Sequence, residues 1–209
     1  MHCLPFISLF FLLGSCAPVA YRQLQETGGD VHCIDQFKPA IRRALYQTSA
    51  DVTGHHLSGI LLIKQMPDSA TRIVFTNEAG YTFFDFEFDG RGSFTVHSII
   101  SKMDKEAVKR TLRKDFELIL MNRLNTGAAK VFKKDNETYY AFTEGEDVFY
   151  YITDAQCSRL LRMERGNTRK KVLEATRGEL KEGIPEFITI RHRNFNFTID
   201  LKKIDDDAE

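Results

Sequence analysis

The chain has no surplus charge of either sign: 29 Lys and Arg stand against 29 Asp and Glu in 209 residues. A neutral body sets up no net field toward a polyanion, and no Lys/Arg cluster is dense enough to make a phosphate-binding stripe, so nucleic acid is not an expected partner. Long apolar runs are missing too, since a membrane-spanning helix takes roughly 20 such residues. The sequence has no Gly-x-Ser-x-Gly elbow, no His-Glu-x-x-His, no Cys-x-x-Cys and no phosphate loop. Gly90-Arg91-Gly92-Ser93 lacks the later glycine and the strand-to-helix setting of a nucleotide fingerprint. Catalysis is therefore not expected. His55-His56 fall in an expected turn, while His97 and His192 stand singly in strands, so no metal site is expected. Asp85 and Glu87, two apart on a strand, have the spacing for acid–base work but read as a solvated outer face.

What is present begins at the N-terminus. Leu4 to Leu13 is an apolar core of signal-peptide length, and Leu13-Gly14-Ser15-Cys16 has the form of a bacterial lipobox. Small residues at Gly14 and Ser15 admit an extended chain to a peptidase, and the Cys16 thiol would then carry a diacylglycerol and an acyl chain. Cleavage near Ala20 is the alternative, with Pro18 where a small residue is wanted. The expected layout is a signal peptide at 1–15, a lipidated N-terminus and linker at 16–39, one domain at 40–204 and an acidic tail at 205–209. With 43% apolar and 28% charged residues, that domain can bury a proper core. Of four cysteines, Cys3 leaves with the signal and Cys16 takes the lipid. Cys33 and Cys157 remain, to pair in an oxidising compartment or to stay as two buried thiols.

Period-two patterning dominates the body. Ala44, Tyr46, Thr48, Ala50 and Val52 alternate with Arg43, Gln47, Ser49 and Asp51, and a two-residue turn at Gly54-His55 would bring Leu57, Gly59, Leu61 and Ile63 onto the face of Tyr46. Arg72 to Asn77 and Tyr81 to Phe88 form the next hairpin, with Phe84, Phe86 and Phe88 sharing one face, and a fifth strand runs from Ser93 to Ser98. One helix follows. Ser101 and Asp104 suggest a capping box, Val108, Leu112, Phe116, Ile119 and Leu120 form an apolar stripe, and Asn125 to Gly127 ends it. Lys105, Lys109, Arg110, Arg113 and Lys114 make a solvated basic face. Seven more strands fit Ala129 to Lys134, Glu137 to Phe142, Asp147 to Thr153, Ser158 to Arg165, Arg169 to Arg177, Glu186 to Arg193 and Phe195 to Ile204. So many antiparallel strands must close, split or curl, and curling around the helix is expected.

Leu57-Ser58-Gly59-Ile60-Leu61, the run Arg72 to Gly80 followed by Phe83-Phe84-Asp85-Phe86, and Pro185 ahead of Phe187-Ile188-Thr189-Ile190 and Phe197-Thr198-Ile199-Asp200-Leu201 together resemble the LolA/LolB superfamily of periplasmic lipoprotein-sorting and lipid-carrying proteins. The likeness spans Ala44 to Ile204 and is one of layout and spacing. It implies an unclosed antiparallel half-barrel around one central helix, mainly β, with an apolar concave side for acyl chains. Tyr46, Leu61, Ile63, Phe75, Phe84 and Phe86 are the expected lining. The expected protein is an outer-membrane lipoprotein facing the periplasm, from a bacterium similar to the Bacteroidetes. It would bind lipid or lipoprotein acyl chains without chemistry and with no cofactor beyond the lipid on Cys16. The alternative is an envelope scaffold with a packed core that binds other envelope proteins.

Overall fold

The computed structural model describes residues 20–52, 54–125, 129–167 and 169–204. The expected signal peptide, the expected lipidation site Cys16 and the acidic tail lie outside them. A short strand β1 (Gln25–Thr27) and a 3-10 helix (Val31–Phe37) lead into the long hairpin of β2 (Arg43–Val52) and β3 (His55–Gln65). Val52 faces His55, so the loop falls one residue earlier than expected. The change moves the pairing by two positions, which keeps every side chain on its expected face and sets Tyr46 opposite Leu61.

β4 (Thr71–Thr76), β5 (Thr82–Phe88) and β6 (Phe94–Ile99) continue the meander up to the one α-helix among the described residues, α1 (Glu106–Ile119). Ser101 and Asp104 do not cap it. The cap residue is Lys105, whose side chain makes no capping hydrogen bond; the chain first turns at 100–104 and spends the Asp104 carboxylate on Lys109 at 3.0 Å. The helix also ends earlier than expected: Leu120 is its C-cap, followed by a 3-10 helix at Asn122–Asn125.

All seven later strands form within two residues of the expected bounds. They are β7 (Lys130–Lys134), β8 (Glu137–Glu144), β9 (Asp147–Asp154), β10 (Leu160–Gly166), β11 (Lys171–Arg177), β14 (Phe187–His192) and β15 (Phe197–Ile204). A two-stranded flap of β12 (Leu180–Lys181) and β13 (Ile184–Pro185) is inserted before β14. Thirteen strands make one antiparallel sheet in the order β1-β7-β8-β9-β10-β11-β14-β15-β2-β3-β4-β5-β6. The last strand joins the two halves, pairing with β2 from Phe197↔Val52 to Ile204↔Leu45. The fold is thus an unclosed antiparallel half-barrel wrapped around one helix, with β1 and β6 as its free edges.

Residues 20–39 are not a linker. β1 pairs with β7, Ile34 of the 3-10 helix is fully buried in the main core, and a disulfide ties Cys33 to Cys157 in the β9–β10 turn with Cα atoms 6.4 Å apart. The Tyr140 hydroxyl donates to the Cys33 sulfur at 2.7 Å, and the Arg177 guanidinium donates to the Phe37 carbonyl at 2.8 Å. Polar residues and glycines dominate 20–30, so the composition hides how firmly the segment is held.

Gly59 lets β3 and β4 approach at the point where the β4–β5 register shifts. A Cβ there would sit 1.9 Å from the Thr76 carbonyl oxygen. Backbone cannot yield as a side-chain tip can, so Gly59→Ala is expected to lower stability by about 3 kcal/mol or more, read as a fall in the urea midpoint at unchanged m-value.

Candidate functional site

The register brings the six expected lining residues together. Tyr46 faces Leu61, Leu61 faces Phe75, Phe75 faces Phe84, and Ile63 and Phe86 flank Ile73. Phe84 and Phe86 stack at 4.3 Å between ring centroids, and the Phe86 ring meets Phe94 edge-on at 5.1 Å. The open trough expected from the sequence is, however, absent at these positions. All six residues are between 0% and 3% exposed, in one cluster with Leu112, Phe116 and Ile119 of α1, and the Phe116 ring lies 5.8 Å from that of Phe84. Strand alternation marks which face is apolar but does not say what covers it, and here the helix fills the space. Two surface grooves, of about 720 and 540 Å³, are lined in part by Phe187 and Asp200 and by Pro39 and Asp89, and by none of the six. Burial pushes the Tyr46 phenol above its ordinary pKa, and its hydroxyl donates to the Pro185 carbonyl at 3.1 Å.

The helix meets the other half of the sheet through charges. Asp115 is fully buried, accepting from His192 Nε2 at 2.7 Å and from the Arg165 guanidinium at 3.2 Å. Arg165 continues to Asp147 at 3.3 Å, and Lys114 pairs with the same carboxylate. Two residues on, the buried Glu117 holds Arg113 at 2.9 Å and Arg123 at 2.6 Å, and Arg123 reaches Glu144 at 2.8 Å. The basic face expected to be solvated is thus partly spent on ion pairs: Lys109 also binds Asp104 and Glu106. Asp115 and His192 have the contact of a catalytic carboxylate–imidazole pair. The imidazole is nevertheless enclosed, its side chain fully buried and its ring 4.8 Å from Phe197 and 4.7 Å from Phe195, so the pair positions the helix rather than facing solvent.

Sequence reasoning passed over Asp115. A signal existed, since it lies three residues after Leu112 and four before Ile119, a charge inside the apolar stripe. Removing one member of a buried ion pair strands the others, so Asp115→Ala is expected to cost about 3–5 kcal/mol. Replacing Asp115, Arg165 and His192 together by apolar residues of similar volume should recover most of that loss, as measured by urea denaturation.

A second polar network lies on the convex side. Tyr21 stacks on Tyr150 at 4.2 Å and donates to Glu164 at 2.9 Å. Glu164, 1% exposed, also accepts from Arg162 at 2.6 Å and Lys171 at 2.7 Å. Hydrogen bonds from Arg162 hold the Glu137 carboxyl below the usual carboxylate range. Asp85 and Glu87 share this convex face of the sheet, bridged by Arg72 at 2.6 Å and 3.4 Å, with His97 3.1 Å from Glu87. Burial raises the phenols of Tyr21 and Tyr139 and pushes Tyr150 up to about 12. A raised folded-state pKa means the contribution is whole below the ordinary tyrosine value of 10.0 and fades as pH climbs toward the folded value. Stability is accordingly expected to fall from about pH 10 upward, with phenolate absorbance of this cluster appearing only together with unfolding.

No family model matches the chain, and no curated protein matches it. Among solved structures, the fold is similar to a DUF1329 family protein from Desulfovibrio piger, at 10% identity and a TM-score of 0.45 over 86% of this chain and 92% of that one. It is also similar to a domain from Vibrio parahaemolyticus named for outer-membrane lipoprotein sorting, at 7% identity and a TM-score of 0.46 over 86% of this chain and 93% of that one. Both likenesses concern the path of the chain, at identities that transfer no residue roles.

Proposed function

We propose that the chain is an envelope lipoprotein, acylated at Cys16 and held on the periplasmic side of the outer membrane. Its half-barrel receives an acyl chain of a lipid or of another lipoprotein, without chemistry, in the space that α1 now fills. The observation that carries this reading is the mixed seam of the helix: Leu112, Phe116 and Ile119 face the aromatic strands, while Asp115 faces the buried Arg165 and Glu117 faces the partly exposed Arg113 and Arg123. An all-apolar seam would resist opening in proportion to its area. Charged groups regain their hydration when they separate, which offsets part of the lost pairing, so a seam of this kind can release the helix as a unit. An acyl chain then takes over the apolar contacts of Phe84 and Phe86, each buried methylene gaining about 0.8 kcal/mol.

The near-complete burial of the six lining residues favours a second reading, an envelope scaffold whose packed core never opens and which binds another envelope protein. Native mass spectrometry of the mature chain isolated from its host separates the two. A non-covalent adduct of lipid mass is expected, together with a melting temperature that rises on addition of a long-chain fatty acid, by an amount that corresponds to about 2.7 kcal/mol at a hundredfold excess over Kd. A bare mass with unchanged melting would establish the scaffold instead.

A further inference from the structure

The described chain begins at Ala20, which lies at one rim of the half-barrel. The Ala20 N–H donates to the Arg169 carbonyl at 3.2 Å in the β10–β11 turn, and Tyr21 beside it is pinned to the sheet by Tyr150 and Glu164. Four peptide steps separate Cys16 from Ala20, a reach of about 14 Å when fully extended. That is less than two Debye lengths at physiological salt, each about 8 Å. A bilayer holding the acyl chains of Cys16 is therefore close enough to feel the charges of this rim.

Those charges have one sign where the tether emerges. The β14–β15 turn adjoins the β10–β11 turn, with the Arg193 N–H donating to the Val172 carbonyl at 2.8 Å. Residues 166–170 and 193–196 include Arg169, Lys170 and Arg193 and no acid. Arg169 and Lys170 are exposed and make no ion pair among the described residues, and Arg193 keeps 52% of its side chain exposed beside Glu174. In the neighbouring β8–β9 turn stands Glu146, so the basic patch is confined to the two turns next to the tether. Phe195 projects from the same place, 38% exposed, its inner face held by His192 and Phe197. An outward aromatic ring among Arg and Lys is the composition that settles at the head-group level of a bilayer. A neutral chain thus carries a local basic patch at the point where its anchor leaves.

We propose that this rim is a membrane-docking surface: Arg169, Lys170 and Arg193 take anionic lipid head groups while the Phe195 ring sits at the interface, which orients the half-barrel on the bilayer. The inference rests on the acylation of Cys16 proposed above. The chain contains no tryptophan, so Phe195→Trp introduces a single reporter, and Phe187→Trp, at the opposite end of β14 and 49% exposed in the native chain, serves as its control. Each full-length variant is acylated in its host, checked by mass, and reconstituted into phosphatidylethanolamine vesicles containing phosphatidylglycerol and brominated acyl chains. F195W is expected to emit to the blue of F187W and to be quenched at least threefold more strongly. Adding Arg169→Glu and Lys170→Glu should remove at least half of that quenching. Equal quenching of the two reporters in acylated, vesicle-bound protein overturns the docking surface and leaves the anchor standing, and quenching indifferent to the charge reversals overturns the head-group contacts. A mass without acyl chains on Cys16 overturns the anchor and the docking surface with it.

Discussion

Thirteen strands curve far enough for their inner side chains to converge, and the space they enclose is taken by one helix. Everything else in the molecule follows from how that helix is held. Toward β2–β5 it presents Leu112, Phe116 and Ile119 to stacked phenylalanines, a contact governed by area. Toward β10 and β14 it presents Asp115 to Arg165 and His192, a contact governed by geometry and by the exclusion of water. The first kind of contact is tolerant and strong. The second is directional and gains less over water, so it fixes where the helix sits.

The ends of the half-barrel differ in the same way. At one end the 3-10 helix is bolted by the Cys33–Cys157 disulfide and by Arg177, and the flap of β12 and β13 packs beside it through the Ala40–Gly183 hydrogen bond. At the other end the described chain begins, with Ala20 held by the β10–β11 turn and Tyr21 by the convex tyrosine cluster. Closure at one end and the start of the described chain at the other give the domain a direction, which a lipid tether of a few residues would convert into an orientation on a membrane.

Much of this architecture could be read from the residues. Alternation at Tyr46, Leu61, Phe75 and Phe84 identified the strands and their inner face, and the stripe from Leu112 to Ile119 identified the helix. Short-range chemistry was less legible. The Ser101–Asp104 pair looked like a cap, yet competition from Lys109 took the carboxylate. The segment 20–39 looked like a linker because its composition is polar, although Tyr21 and Ile34 anchor it. In the first case a rival five residues away took the carboxylate; in the second the partner lay far outside any local window, Glu164 standing 143 residues from Tyr21.

By itself the sequence determined the class of fold, since period-two and period-3.6 patterns are local consequences of backbone geometry, and it determined which residues point inward. The tertiary structure alone decided that the inner face is covered rather than open, that Asp115 finds His192 77 residues away, and that Cys33 meets Cys157 across 124 residues. Those outcomes depend on which strands end up side by side. Pairing β15 with β2 carries His192 over the helix and sets the curvature that lets one helix fill the interior, and no stretch of sequence short enough to have a period contains that information.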